Sequence, residues 1–212
     1  MSSQLKRQLR RDMRSLLNSL STESILEQST LQQSKLMSMS CYKESVALCI
    51  YLPMPKELQT YDVIKNAFSN GKRIFVPKVI GPNPQDMVMI EVLSFEQLNS
   101  FPKSKWGIPE PPVEMTQNGD KEALCDIDLI LLPGVAFDSN CNRLGHGKGY
   151  YDCFLERLIK IKTENQLLIP KLVGLSLSEQ IVEEPIPMED HDTRLDFIVS
   201  PYDIFTSRSE SA

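Results

Sequence analysis

Short apolar runs, each too brief for a helix, alternate along this chain with segments of helical periodicity, and that alternation constrains its fold more than any other feature. The longest, Ile127 to Phe137, is broken by Asp128 and by Pro133-Gly134 and reads as a buried strand leaving a sheet. Val46–Leu52, Arg73–Val79, Val88–Leu93, Leu172–Leu177 and Phe197–Ser200 read as further strands. Between them, Leu5, Leu9, Met13, Leu16, Leu17 and Leu20 recur at three- and four-residue steps, which predicts an amphipathic helix. Ser21 is placed to cap a second helix with Glu23 in its first turn, and Thr60 a third that carries Val63, Ile64, Ala67 and Phe68 and closes at Gly71. A further helix is expected from Tyr150 with Phe154, Leu155, Leu158 and Ile159 inward, while the prolines of Lys103–Pro112 predict a loop. The class expected is α/β: a single three-layer α/β/α domain with a central, mostly parallel sheet over residues 1–203, basic helix 3–20 included. Residues 204–212 are expected to be a frayed polar tail.

Composition enters as a set of exclusions. No apolar run approaches the roughly 18 residues of a membrane span, and the start lacks the apolar core of a signal peptide. The five cysteines show no C-x-x-C spacing and only His146 and His191 accompany them, so free thiols in a reducing compartment are expected rather than zinc. The net charge of −5 is uneven: residues 1–20 sum to +4 and the rest to −9. A basic arm on an acidic body suits an anion-binding helix, a nucleic-acid contact or a targeting sequence.

The chemistry concentrates in Leu132-Pro-Gly-Val-Ala-Phe-Asp-Ser-Asn-Cys-Asn-Arg-Leu-Gly-His-Gly-Lys-Gly-Tyr-Tyr-Asp152. Three of the nine glycines, Gly145, Gly147 and Gly149, alternate around His146 and Lys148 at an expected strand-to-helix junction. Glycine there lets backbone amides approach an anion, and the following helix offers its positive end. Arg143 and Lys148 add full charges. The order is neither that of a P-loop, since Asn142 stands at its first glycine, nor that of the dinucleotide fingerprint, since Tyr150 stands at its third.

This run resembles the signature of the 5-formyltetrahydrofolate cyclo-ligase family, L-P-G-[VL]-x-F-D-x-x-G-x-R-L-G-[RH]-G-x-G-[YF]-Y-D. Lys6-Arg-Gln-Leu-Arg10 resembles that family's basic N-terminal helix, and Leu52-Pro-Met-Pro-Lys-Glu57 its pterin-contacting segment. Lys105-Trp106-Gly-Ile-Pro-Glu-Pro111 resembles its folate loop, and His191-Asp-Thr-Arg-Leu-Asp196 its closing element. The resemblance spans about residues 4 to 200. Cys141 replaces the glycine of D-x-x-G, His146 stands where many relatives carry arginine, and Lys56 where an acidic residue is common.

The resemblance implies an enzyme that turns 5-formyltetrahydrofolate, or its polyglutamates, into 5,10-methenyltetrahydrofolate with ATP and Mg²⁺, through a phosphorylated formyl group. Lys148 and Arg143 are then the expected catalytic cations, and Lys6, Arg10 and Arg143–Tyr151 the expected ATP contacts: Leu144, Gly145, His146, Gly147, Lys148, Gly149, Tyr150 and Tyr151 beside the arginine. Leu52, Glu57, Trp106, His146 and Tyr150 are the expected folate contacts, and Asp152 and Asp192 the expected metal ligands. His146 is equally an ordinary loop histidine or a residue that bonds or protonates the transferred phosphate. No membrane or nucleic-acid partner is expected, and the chain is read as a monomer. A sugar-phosphate isomerase or acyl-transferase on a similar scaffold, and a nucleic-acid binder acting through residues 5–14, are the alternatives. The basic start also looks like a mitochondrial presequence, but its cleavage would remove Lys6 and Arg10, so the cytoplasm is expected, with mitochondria as the alternative.

Overall fold

The computed structural model describes residues 2–104, 107–118, 121–190 and 192–207. Its elements in chain order are α1 (Ser2–Ser19), α2 (Thr22–Ser38), α3 (Ser40–Glu44), β1 (Ala47–Ile50), α4 (Tyr61–Ser69), β2 (Arg73–Val79), β3 (Met87–Val92) and α5 (Phe95–Ser100). They continue with α6 (Lys121–Asp126), β4 (Leu129–Leu132), β5 (Ala136–Asp138), β6 (Arg143–Leu144), α7 (Tyr150–Glu164), β7 (Lys171–Leu175), β8 (Ile181–Val182), β9 (Phe197–Val199) and β10 (Ile204–Thr206). Ser21 caps α2 by accepting a hydrogen bond from the Ser24 amide at 3.0 Å, which satisfies a first-turn N–H. Thr60 precedes α4 without a side-chain cap; its hydroxyl donates instead to the Tyr51 carbonyl at 2.9 Å and closes the loop after β1.

The main sheet has the order β10-β9-β7-β4-β1-β2-β3 among the described residues. Its five inner strands are parallel, and the edge strands β3 and β10 run antiparallel to their neighbours. Along β1, β2 and β4, side chains alternate between two cores, as the two-residue period of a strand requires. Leu48, Ile50, Ile74, Val76, Leu129 and Leu131 pack under α2 and α4 with Ile25, Leu36, Val63 and Ile64. Cys49, Phe75, Ile130 and Leu132 pack on the other face with Phe154, Leu155 and Leu158 of α7. Helices on both faces make the three-layer α/β/α arrangement, and they are why β1 and β4 read as unbroken apolar runs.

Three details differ from the sequence reading. Ile127–Phe137 is two strands, because Pro133-Gly134 turns the chain out of the main sheet into a second, three-stranded sheet of order β6-β5-β8. Ile204–Thr206, within the expected tail, pairs with β9 across Ile204↔Val199 and Thr206↔Phe197. On α7, Ile161 rather than Ile159 joins the packed face, and the Lys162 ammonium bonds the Cys125 carbonyl at 2.7 Å.

This topology makes a crevice. From β1 the chain moves to β2 on one side and later to β4 on the other, so the segments leaving the carboxyl ends of β1 and β4 diverge. Open α/β sheets bind ligands at such a switch point. The small sheet brings β6 and the glycine loop to the same end. Met13 of α1 packs on that sheet with Val135, Ala136, Leu144 and Ile186, which lays the basic helix across the loop.

Candidate active site

Asp138 shapes the approach to the loop. Buried to 1% exposure, its carboxylate accepts from the amides of Asn140, Asn142 and Ile186 at 2.8–3.1 Å and from the Asn142 side chain at 2.9 Å. The turn so held puts Cys141 at φ 63°, left-handed backbone that favours glycine. This is the position where the family resemblance expects glycine. Gly147 (φ 92°) and Gly149 (φ 72°) use the same freedom, and Gly149 is the N-cap of α7. A Cβ at Gly147 would stand 3.2 Å from the Arg10 guanidinium carbon.

Arg143 and Lys148, equivalent in sequence, are placed differently. Arg143 lies beneath the loop with its side chain 4% exposed, donates to the Asp152 carboxylate at 2.7 Å and sits 5.6 Å over the Tyr151 ring. Tyr151 packs against both cores, and burial pushes its hydroxyl well above the usual tyrosine range. Lys148 is exposed and lines the cavity above the loop.

From α1, Arg10 donates to the Gly145 carbonyl at 2.8 Å, and the buried Lys6 ammonium pairs with Asp192 and, at 3.7 Å, with Glu189. Both cations, the loop from Gly145 to Gly149, Asp152 and Asp192 line one cavity of about 560 Å³. Its opposite wall is apolar, formed by Met54, Pro77, Val79 and Met87. Tyr150 closes one side, its hydroxyl 3.3 Å from the Gly81 carbonyl. A second cavity of about 610 Å³ adjoins it, walled by Arg14, Leu17, Lys56, Glu57 and Gln180. Arg10, Met54 and His146 line both. At this boundary His146 Nε2 is 3.5 Å from Glu57 Oε1, and the other Glu57 oxygen accepts from the Met54 amide at 2.9 Å.

A model of the 5-formyltetrahydrofolate cyclo-ligase family matches residues 2–201 of this chain. The chain belongs to that family. It is 38% identical over 200 residues to a Schizosaccharomyces pombe protein named "Probable 5-formyltetrahydrofolate cyclo-ligase", with 92% of this chain and 95% of that one covered. It is 37% identical to the 5-formyltetrahydrofolate cyclo-ligase of Mus musculus, covering 92% of each. The solution structure of the Aquifex aeolicus 5,10-methenyltetrahydrofolate synthetase shares its fold with a TM-score of 0.74 at 27% identity, covering 98% of this chain and 95% of that one.

The cyclo-ligase residues expected from sequence thus gather largely in one place: Lys6, Arg10, Gly145–Gly149, Tyr150, Tyr151, Asp152 and Asp192 around the first cavity, Glu57 and His146 at the second. Leu52 does not join them; it packs on the core and lines neither cavity. Trp106 and His191 lie outside the described residues. Sequence reasoning missed the hairpin wall of Pro77, Val79 and Met87, which carries no polar signal, and Arg14, a basic residue one turn beyond Arg10. Lys56, which stands where the family commonly has an acidic residue, lines the second cavity and its ammonium bonds the Leu20 carbonyl just past α1 at 2.6 Å. Among the described residues no group of three or more His, Cys, Asp or Glu could hold a metal. Asp152 and Asp192 nevertheless fit Mg²⁺, which takes one or two carboxylates when phosphates supply its other oxygens. No helix among the described residues is long and apolar enough to cross a membrane.

Proposed function

We propose that this chain converts 5-formyltetrahydrofolate to 5,10-methenyltetrahydrofolate at the expense of ATP, releasing ADP and phosphate. The observation that carries the reading is the pair of adjoining cavities, one cationic and glycine-lined, the other bounded by Glu57, meeting at Arg10, Met54 and His146. ATP would place its phosphates on the loop amides and α7 N-terminus and its flat base along the wall of Met54, Pro77, Val79 and Met87. The folate would occupy the second cavity with its pterin toward Glu57, which makes the boundary the place where formyl oxygen and γ-phosphate meet.

A formamide oxygen is a poor leaving group. In the proposed sequence it attacks the γ-phosphorus, the bond to ADP breaks, and an imidate phosphate forms. N10 then attacks the activated carbon and loses its proton, and phosphate departs with the former formyl oxygen. Catalysis is largely positioning and charge neutralisation, as in phosphoryl transfer generally. Lys148, exposed at the cavity above the loop, neutralises charge that develops on the phosphoryl group. Lys6 and Arg10 hold the remaining phosphates. Arg143 acts through its ion pair with Asp152, fixing the loop's base and orienting that carboxylate. Asp152 and Asp192 would hold Mg²⁺, which would supply positive charge to offset that of the phosphates. Tyr150 and Trp106 would orient the folate. No side chain is assigned as a covalent nucleophile.

Lys6, Arg10 and the core residue Met13 all belong to α1, so a presequence ending beyond them would take the site with it. The working protein therefore retains α1, in the cytoplasm or, as the alternative, in mitochondria. The deciding experiment follows the ultraviolet absorbance of methenyl-folate with ATP, Mg²⁺ and 5-formyltetrahydrofolate. Product formation that requires ATP and releases stoichiometric ADP is expected. Product without ATP, or none with it, would overturn the reading.

A further inference from the structure

The boundary between the two cavities is marked by a histidine whose side chain is half exposed, while the Glu57 carboxylate beside it is only 14% exposed. Glu57 is fixed, because its second oxygen is bonded by the Met54 amide in the turn that follows β1. His146 is carried by the glycine loop, which Arg10 ties to α1 through the Gly145 carbonyl. The contact between His146 and Glu57 thus joins the phosphate loop to the wall of the second cavity.

The charges facing this imidazole come from four directions. Arg10 and Arg14 of α1 and Lys148 of its own loop line the cavities on either side of it. Lys56 stands on the same turn as Glu57 but is directed to the Leu20 carbonyl. Across the first cavity, Asp152 is paired with Arg143 and Asp192 with Lys6, and Tyr150 bonds the Gly81 carbonyl. Glu57 is therefore the carboxylate in contact with the ring. A polyphosphate entering the first cavity brings several negative charges beside the same ring, and nearby opposite charge favours the protonated form.

We propose that His146 is a proton-dependent ligand of the nucleotide's phosphates, held at the boundary by Glu57, so that nucleotide binding takes up a proton at this imidazole. The inference rests on assigning the first cavity to ATP. An arginine in this place would keep its charge throughout this range, whereas a histidine offers phosphate a full positive charge only while protonated. By linkage, nucleotide raises the proton affinity of His146, and nucleotide affinity falls as pH rises from the free to the bound midpoint of that titration.

The test uses the full chain, Mg²⁺ and a non-hydrolysable ATP analogue. With two histidines in the sequence, their imidazole proton resonances are resolvable and His146→Gln assigns them. Saturating analogue should raise the His146 midpoint by about one unit or more. Between the free and bound midpoints the dissociation constant should rise by up to about tenfold per pH unit. His146→Arg should bind with a shallower dependence over the same range. Saturable binding with an unmoved His146 midpoint, or an equal slope in His146→Arg, overturns the inference and leaves the ATP assignment standing. No saturable binding overturns both.

Discussion

Lys148 and Arg143 belong to one loop, five residues apart, yet burial gives them separate tasks. Both line the first cavity, but the arginine is buried with its guanidinium on Asp152 and over the Tyr151 ring, while the lysine is exposed. A charge aimed at a phosphoryl group in a water-poor site contributes far more to the transition state than a solvated one. Lys148→Ala should therefore lower turnover on the order of 100-fold or more, with the thermal midpoint nearly unchanged because the side chain is exposed. Near-normal turnover in a steady-state assay would make Lys148 a solvated loop residue. The sequence showed that both cations flank an anion loop. It did not show which one was committed, because the partner of Arg143 is nine residues on, at a spacing that has meaning only once β6 and α7 are placed.

The element that contributes most charge to the site is α1, and its spacing was legible: Lys6 and Arg10, four apart, do share a face. Removing either cation should raise the Michaelis constant for ATP about tenfold or more while that for the folate stays nearly constant, as expected for a charge-assisted contact. In Lys6→Ala the effect should be the larger, since the Lys6 charge beside Asp192 and Glu189 would be lost as well. Equal increases for both substrates would mean that α1 supports the site only by packing. Strands β1, β2, β4 and β7 were readable because each is apolar over four or more residues and covered on both faces. The second sheet was not, since β6 and β8 are two residues each, shorter than any periodicity can register. Its role could still be inferred from Pro133-Gly134, the one place where the apolar run must bend. Strand β10 was hidden by its length, since Ile-Phe-Thr is three residues, too few to show an alternation.

At the scale of the whole molecule, folding joins segments that sequence keeps apart. Asp152 in the first turn of α7 and Asp192 before β9 line one cavity, each beside a cation. If both act through one Mg²⁺, Asp152→Asn and Asp192→Asn should each shift the Mg²⁺ requirement upward, and the double variant should be scarcely worse than the poorer single. Additive losses at an unchanged Mg²⁺ requirement would leave the aspartates as partners of Arg143 and Lys6 alone. The cores make a second global prediction, about alkali. Cys49 in β1 is fully buried, with its sulfur 3.3 Å from that of Met89, and burial pushes its thiol up to about 12. Burial likewise raises Tyr42 to about 12 and Cys141 to about 11. Unfolded, a thiol titrates near about 8.5 and a tyrosine near about 10. Above those values the unfolded chain sheds protons that the native state keeps, so stability is intact below about pH 8.5 and drains away as pH rises toward the native values. Each such group steepens the loss by about 1.4 kcal/mol per pH unit. Denaturant midpoints for the wild type should fall between pH 9 and 11. Cys49→Ala, though less stable at pH 7 for its lost packing, should fall less steeply by one proton's share. Parallel curves for the two proteins would show that the Cys49 thiol ionises as readily folded as unfolded, and that the core around β1 is open to water.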